Sequence, residues 1–284
     1  MDDDHTTIKE AGLAKIEAGE NAIARVLSGD RKKKYGRFVF AALGSIPWVG
    51  GAIAASAALH AEMEQGRVNE MVARWLDEHR EKIELLGRAI EQIADRLDSF
   101  GGEMASEVDR RLNDDRYLSL VRQGFGTWDR ANSTAKRDYI RRCLANAAAT
   151  RICSDDVVRL FLSWIDKYDD THFAVIRALY HHRGATRAYI WEQVHGEEVR
   201  EDSAEADLFK LLIFDLNTGR VLRQVRDKNL QGQFLPKRRQ TGRPQATVLE
   251  SAFENTKPYE LTELGSQFVH YVMEEVAPRI EGIR

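Results

Sequence analysis

A search for chemistry begins with the histidines and cysteines. His181, His182 and His195 lie close together in the chain, and clustered imidazoles could ligate a metal. No carboxylate or cysteine at helical spacing completes such a set. His181 and His182 instead close a helical pattern, where imidazoles suit the negative end of the helix dipole. Cys143 and Cys153 are the only cysteines. Their apolar helical context fits buried thiols in a reducing compartment, and gives neither a disulfide framework nor a metal cluster. No G-x-S-x-G elbow or phosphate-cradling glycine loop occurs, and Gly124-Phe125-Gly126 is only a fragment of one. The chain therefore reads as non-enzymatic, with no cofactor and no metal.

The most distinctive stretch is apolar rather than catalytic. Phe38–Leu59, FVFAALGSIPWVGGAIAASAAL, contains no charged residue. At about 1.5 Å per residue, one unbroken helix of this length would cross a hydrocarbon core of about 30 Å. Pro47, with Gly44 before it and Gly50-Gly51 after it, breaks such a helix. Two short apolar helices joined by a tight bend are expected. Its many alanines give intermediate hydrophobicity, suited to resting on protein and to entering lipid. The plain alternative is a buried hairpin in a soluble helical bundle. If lipid is met, Phe38, Phe40, Leu43, Ile46, Pro47, Trp48, Val49 and Ile53 are the contacting residues. Arg31, Lys32, Lys33, Lys34 and Arg37 precede the run, as in a cytoplasmic membrane flank, where each cation near an anionic surface contributes about 1 kcal/mol. The same cluster also reads as a solvated loop.

The elements around this stretch are mostly helical. Residues 7–28 make an amphipathic helix of modest strength, ended by Ser28-Gly29-Asp30. From His60 to Phe100 one long helix carries Leu76, Ile83, Ile90 and Leu97 every seventh residue, with Val72, His79, Leu86 and Ile93 between them. That seam packs on the apolar hairpin or pairs two copies of the chain, with Leu76, Ile83, Leu86, Ile90, Ile93 and Leu97 at the contact. Further helices are expected over 103–122, over 133–149 with a Ser or Thr cap, and after Ser154. These belong to an N-terminal helical domain, residues 1–168.

A second domain, residues 169–284, is expected to be winged-helix-like. Three short helices end near Gly184, Gly196 and Gly219. VLRQV, residues 221–225, then alternates like a strand, QFLP is its expected partner, and YELTELGSQFVHYVMEEV closes the domain as a helix. Glu205 and Asp207 open the third helix, where carboxylates repel phosphate. Arg220, Arg223, Arg226, Lys228, Lys237, Arg238, Arg239 and Arg243 make a basic wing able to grip DNA phosphates without reading bases. A protein-contacting wing with a solvated basic loop is the alternative.

Composition sets the outer bounds. Charged residues are 31% and hydrophobic ones 43%, an ordinary globular mix, so general disorder is not expected. A formal charge of −3 gives no overall pull toward nucleic acid or acidic lipid. The start, MDDDHTTIKE, is acidic where a secretory signal is basic, so a cytoplasmic protein is expected, associating with the inner membrane on activation.

The order of features resembles bacterial proteins of the abortive-infection alpha kind. The resemblance rests on Phe38–Leu59, the long charged helix after it, AKRDYIRRCLANA (Ala135–Ala147) and YELTELGSQFVHYV (Tyr259–Val272). It implies a role in phage defence with a membrane target, and it assigns no catalytic residues. Two functions follow as expectations. One is a homo-oligomeric effector whose apolar hairpin engages or permeabilises membrane, under control of the C-terminal domain and a protein trigger. The other is a cytosolic DNA-binding regulator or adaptor, dimerising through its long helix.

Overall fold

The computed structural model describes residues 21–50, 66–196, 199–225, 231 and 251–273, with side chains described except at 66–78, 80 and 103. The described chain is mainly helical and divides into two compact units, Met1–Asp166 and Lys167–Arg284. The units meet at 166/167, against the 168/169 boundary read from the sequence.

In the first unit, residues 21–26 are helical and α1 follows over Arg31–Leu43. The basic cluster is therefore the first two turns of a helix, not a loop and not a flank outside one. Gly44 ends α1, its N–H bonding back to the Phe40 carbonyl, and helix resumes at Pro47. Proline suits that first position because no N–H is needed there. The bend expected around Pro47 is thus made by Gly44, Ser45 and Ile46, with the Ser45 hydroxyl donating to the Ala42 carbonyl. α1 is amphipathic rather than uniformly apolar. Tyr35, Phe38, Val39, Ala41 and Ala42 are buried, while Phe40 is 73% exposed. Ile53 and the rest of the run lie outside the described residues.

Next come α2 (Gly66–Asp98), α3 (Gly102–Leu112), α4 (Asp115–Arg130), α5 (Thr134–Ala149) and α6 (Asp155–Lys167). α2 spans 33 residues. Asp114 and Ser133 cap α4 and α5 through their side chains, as short polar residues do at helix starts. The helix most enclosed is α5, against which α2, α3 and α4 all pack. Its Tyr139, Ile140, Cys143, Leu144 and Ala145 through Ala149 are buried. Alanines let neighbours close in, and Gly124 of α4 does the same: a Cβ there would sit 2.9 Å from Leu144. The Tyr117 hydroxyl donates to the Leu144 carbonyl at 3.2 Å, satisfying a buried polar tip. Among the described residues, no helix is long and apolar enough to cross a membrane.

The second unit holds α7 (Asp170–His181), α8 (Arg187–Val194), α9 (Ala204–Thr218), β1 (Leu222–Gln224), β2 (Tyr259–Leu261) and α10 (Glu263–Phe268), which runs into a π-helical turn over Val269–Met273. β1 and β2 are antiparallel, with Leu222 opposite Leu261, Arg223 opposite Glu260 and Gln224 opposite Tyr259. Ala185 adds a single bridge to Tyr259. The strand partner is therefore Tyr259–Leu261, whereas QFLP lies outside the described residues. The closing helix starts four residues later than its sequence pattern suggests, because Thr262 is its cap and accepts from the Gly265 N–H at 2.9 Å. Trp191, Phe209 and Phe253 meet edge-on or stacked at the centre of this unit.

Two glycines separate packing from propensity. A Cβ at Gly265 would lie 2.1 Å from the Val221 carbonyl oxygen, a backbone atom, whereas nothing lies within 4 Å of one at Gly36. Gly265→Ala is expected to lower stability by about 1–3 kcal/mol, the range for overpacking. Gly36→Ala, inside α1, is expected to raise it by up to about 1 kcal/mol through helix propensity. Urea midpoints of the two variants check both signs.

Candidate functional site

The basic flank is tied down by protein carboxylates. Arg31 pairs with Asp95 and Asp98 of α2 at 2.8 and 2.9 Å. Lys34 meets Asp98 at 2.9 Å and Asp109 at 3.5 Å. Arg37 meets Asp115 at 2.6 Å. The Tyr35 hydroxyl donates to Asp98 at 2.6 Å and lies 3.1 Å from the Ala94 carbonyl. Burial opposes charge on Asp98, but the Tyr35 and Lys34 hydrogen bonds and the nearby cations outweigh it and hold the carboxyl below its usual range. Lys32 and Lys33 alone of the five cations are exposed without such a partner among the described residues.

The lipid-contact candidates divide by face. Phe38, Ile46 and Val49 are in the core. Leu43 and Trp48 are half-buried, and the Trp48 indole donates to Asp129 at 2.6 Å. Phe40 and Pro47 are exposed. The heptad seam is also largely internal. Leu86, Ile90, Ile93 and Leu97 are at most 2% exposed and covered by the unit's own helices, so these four do not face a second copy. Ile83 is half-buried, and the Leu76 side chain lies outside the described set. The physical reason is that α2 supplies one wall around α5, and over its described side chains the apolar stripe is the face turned to that task.

In the second unit, α9 offers a different kind of surface. Phe209, Leu212, Ile213 and Leu216 fill its inner face at helical spacing. Leu208, Leu211 and Phe214 remain on the outside, 48%, 52% and 63% exposed. The sequence carried that signal in LFKLLIF, which is apolar on more sides than one core requires. A groove of about 670 Å³ adjoins the stripe, lined by Phe214, Asn217, Arg187, Arg220, Arg223 and Tyr259 among others.

The groove's cations are not equivalent. Arg223 donates through Nε to Glu260 at 2.8 Å, and Arg183 donates to the other carboxylate oxygen at 2.9 and 3.1 Å. Glu260 is only 4% exposed. Burial favours its neutral form, yet the two guanidiniums prevail and hold its carboxyl below the ordinary glutamate range. Arg187 donates to the Tyr259 hydroxyl and the Ser251 carbonyl. Arg220 is exposed at positive φ of 60° and makes no ion pair with the described residues. Of the basic-wing candidates, Arg223 is thus committed to an internal bridge and Arg220 remains available. Lys237, Arg238, Arg239 and Arg243 lie outside the described residues.

A second cleft, in the first unit, is charge-compensated. Buried Arg111 pairs with Asp155 and Asp114 and donates to the Ala147 carbonyl, while Arg151 pairs with Glu107. The histidines do not converge: His182 lies edge-on to Tyr189 and His195 stacks on Trp191 at 4.2 Å. Among the described residues, no three His, Cys, Asp or Glu side chains are grouped to hold a metal. Cys143 and Cys153 are unbonded, and burial pushes both thiols up, away from the reactive thiolate.

The chain matches no protein-family model, no curated protein and no solved structure.

Because Glu260 titrates low in the folded chain, its contribution is complete above the unfolded glutamate value, about 4.3. It is lost as pH falls through the depressed folded value. Glu260→Gln is expected to lower stability near pH 7 by about 1–2 kcal/mol, a charged hydrogen-bonding loss reduced by solvent screening. Below pH 4.3 the gap between wild type and variant should narrow, as read from melting temperatures across that range.

Proposed function

We propose that this chain is a non-enzymatic adaptor or effector of the bacterial phage-defence kind, with a helical scaffold unit and a winged-helix-like unit that receives a protein on the outer face of α9. The observation carrying this reading is the stripe of Leu208, Leu211 and Phe214, exposed on the helix that in a winged helix enters DNA. Apolar side chains there gain nothing from phosphate and have only thymine methyls to meet among base edges, and Asp207 beside them is repelled by DNA. Buried against another protein, the same side chains give a compact apolar anchor. The winged-helix reading is supported by the order α7, α8, α9, β1, β2, α10 and by the Ala185 bridge to Tyr259. The defence setting comes from the resemblance to the abortive-infection alpha kind.

Leu211→Asp combined with Phe214→Asp is expected to abolish phage protection in cells expressing the chain, with soluble level and helical circular dichroism unchanged. Full protection by that folded variant would sink the α9 reading. A wild-type chain that gives no protection removes the defence setting instead.

A second reading, membrane engagement, is favoured by one edge of α1. Lys33, Arg37 and Phe40 recur at helical spacing on α1 and are all exposed, and exposed Pro47 follows past the bend, placing cations beside an apolar tip. This edge can meet an anionic bilayer without unpacking Phe38, Ile46 or Val49, whereas permeabilisation requires that buried face to leave the core. Co-sedimentation with vesicles of mixed neutral and anionic phospholipid is expected, and Phe40→Asp should reduce it at least tenfold. Wild-type chain that stays in the supernatant at low salt excludes this edge as a lipid contact.

A further inference from the structure

The groove beside α9 carries unanswered positive charge. Its wall sets Arg187, Arg220 and Arg223 against one carboxylate, Glu263. Arg223 also shares Glu260 with Arg183. Four arginines against two glutamates leave this cluster an excess of two positive charges. The groove's volume of about 670 Å³ lies within the roughly 300–1,000 Å³ of small-molecule sites.

Arg220 is the member whose guanidinium the described fold does not use. Its φ of 60° makes it the one non-glycine at positive φ among the described residues. Glycine takes that conformation freely, whereas the Cβ of an arginine is crowded in it. The turn is pinned from two sides. The Arg220 N–H donates to the Asn217 carbonyl at 3.1 Å, and the Arg220 carbonyl accepts from the Thr262 hydroxyl at 2.6 Å. A costly backbone is thus held in place, and it presents a cation that pairs with no described carboxylate. Tyr259 adds a second donor. It is 2% exposed, and its hydroxyl accepts from Arg187 Nε and Gln224 Nε2, each at 3.1 Å. Those bonds occupy its lone pairs and leave its proton for another acceptor. A phosphate monoester, close to doubly negative at pH 7, matches the excess charge and supplies acceptor oxygens for both donors.

The rest of the wall includes Ile213, Phe214 and Leu264. Phe214 is 63% exposed, one helical turn before the end of α9. Inorganic phosphate would leave that ring in water, whereas a flat apolar body attached to the phosphate would cover it. We propose that the groove binds a nucleoside monophosphate, with its phosphate on Arg220 and its base against Phe214. This goes beyond the protein contact on α9, because it needs neither Leu208 nor Leu211. A nucleic-acid strand fits less well: its next phosphate meets a neutralised wall on which Glu263 stands exposed.

Calorimetric titration of the full chain with adenosine 5′-monophosphate (AMP) is the test. A dissociation constant below about 1 mM at low salt is expected. Ribose 5-phosphate, which lacks the base, and adenosine, which lacks the phosphate, should each bind at least about tenfold more weakly. Arg220→Gly suits the positive φ, so its melting temperature should hold or rise while AMP binding falls about tenfold or more. Phe214→Ala should weaken AMP about fivefold and leave ribose 5-phosphate unchanged. Lys32→Gln, exposed in the other unit, should change neither. Leu211→Asp alone spares the groove wall, so it should bind AMP as the wild type does, whatever it does to phage protection.

A chain that takes up no AMP at about 5 mM overturns the proposal. So does AMP binding that Arg220→Gly leaves intact, or that Lys32→Gln weakens equally. Ribose 5-phosphate bound as tightly as AMP overturns the base contact. A single-stranded oligonucleotide that binds more tightly than AMP, and loses binding with Arg220→Gly, overturns the small-ligand assignment in favour of nucleic acid.

Discussion

Everything in the first unit follows from enclosing α5. A helix buried from Tyr139 through Ala149 except at Arg141 and Arg142 keeps only a narrow polar edge, and its neighbours must come close enough to leave no void. The run of Ala145 and Ala147 through Ala149 makes that approach possible, and Gly124 extends it to α4. Once α2, α3 and α4 have taken their places against it, each has spent its apolar face. α1 then packs on α4 and α3, and its cations fall beside the carboxylates at the end of α2 and around the start of α4. The salt bridges there are half-exposed for the most part, so they orient α1 more than they stabilise it. Burial of Phe38 and Tyr35 does the greater share of that work.

The same constraint explains what could and could not be read beforehand. Helices α5 to α9 were legible from caps and periodicity, because Ser133, Thr186 and Ser203 each accept from a backbone N–H of the helix they open, whereas the one helix expected over 103–122 is divided by the Asp114 cap into α3 and α4. A heptad repeat, by contrast, marks an apolar stripe and says nothing of what covers it. Leu86, Ile90 and Ile93 serve an intrachain core with the same spacing that would serve a dimer. The basic run before Phe38 misled for a related reason. Arg31, Lys34 and Arg37 share one side of a helix, and their carboxylate partners are 64 to 78 residues away in sequence. The pairing of β1 with Tyr259–Leu261 was missed because that strand directly precedes a capped helix and carries only three strand residues.

The candidate site was the least legible part. Attention to charge at the start of α9 found Asp207 but passed over the surplus of apolar residues, since LFKLLIF satisfies a core with fewer than it contains. Likewise Glu260 looked like one acid among many. Its importance appears only where cross-strand pairing sets it opposite Arg223, with Arg183 reaching the same carboxylate. A cation counted toward DNA binding from sequence is thereby neutralised from within. Local sequence fixes where a charge is carried, and tertiary pairing decides whether any of it is left for a ligand.

The β1–β2 pairing joins residues 37 positions apart, and Ala185 joins the same strand from still earlier in the chain. On a ribosome adding about 5–20 residues per second, α7, α8 and α9 emerge seconds before Tyr259 and Phe268 do. During that interval the inner side of α9 can lie only on α7 and α8, without the cover that Phe253, β2 and α10 later supply, while the N-terminal unit already has all of its own elements. The nascent C-terminal unit therefore passes through a stage in which both sides of one helix are greasy, and it is at this stage, more than in the finished molecule, that chaperones would find it.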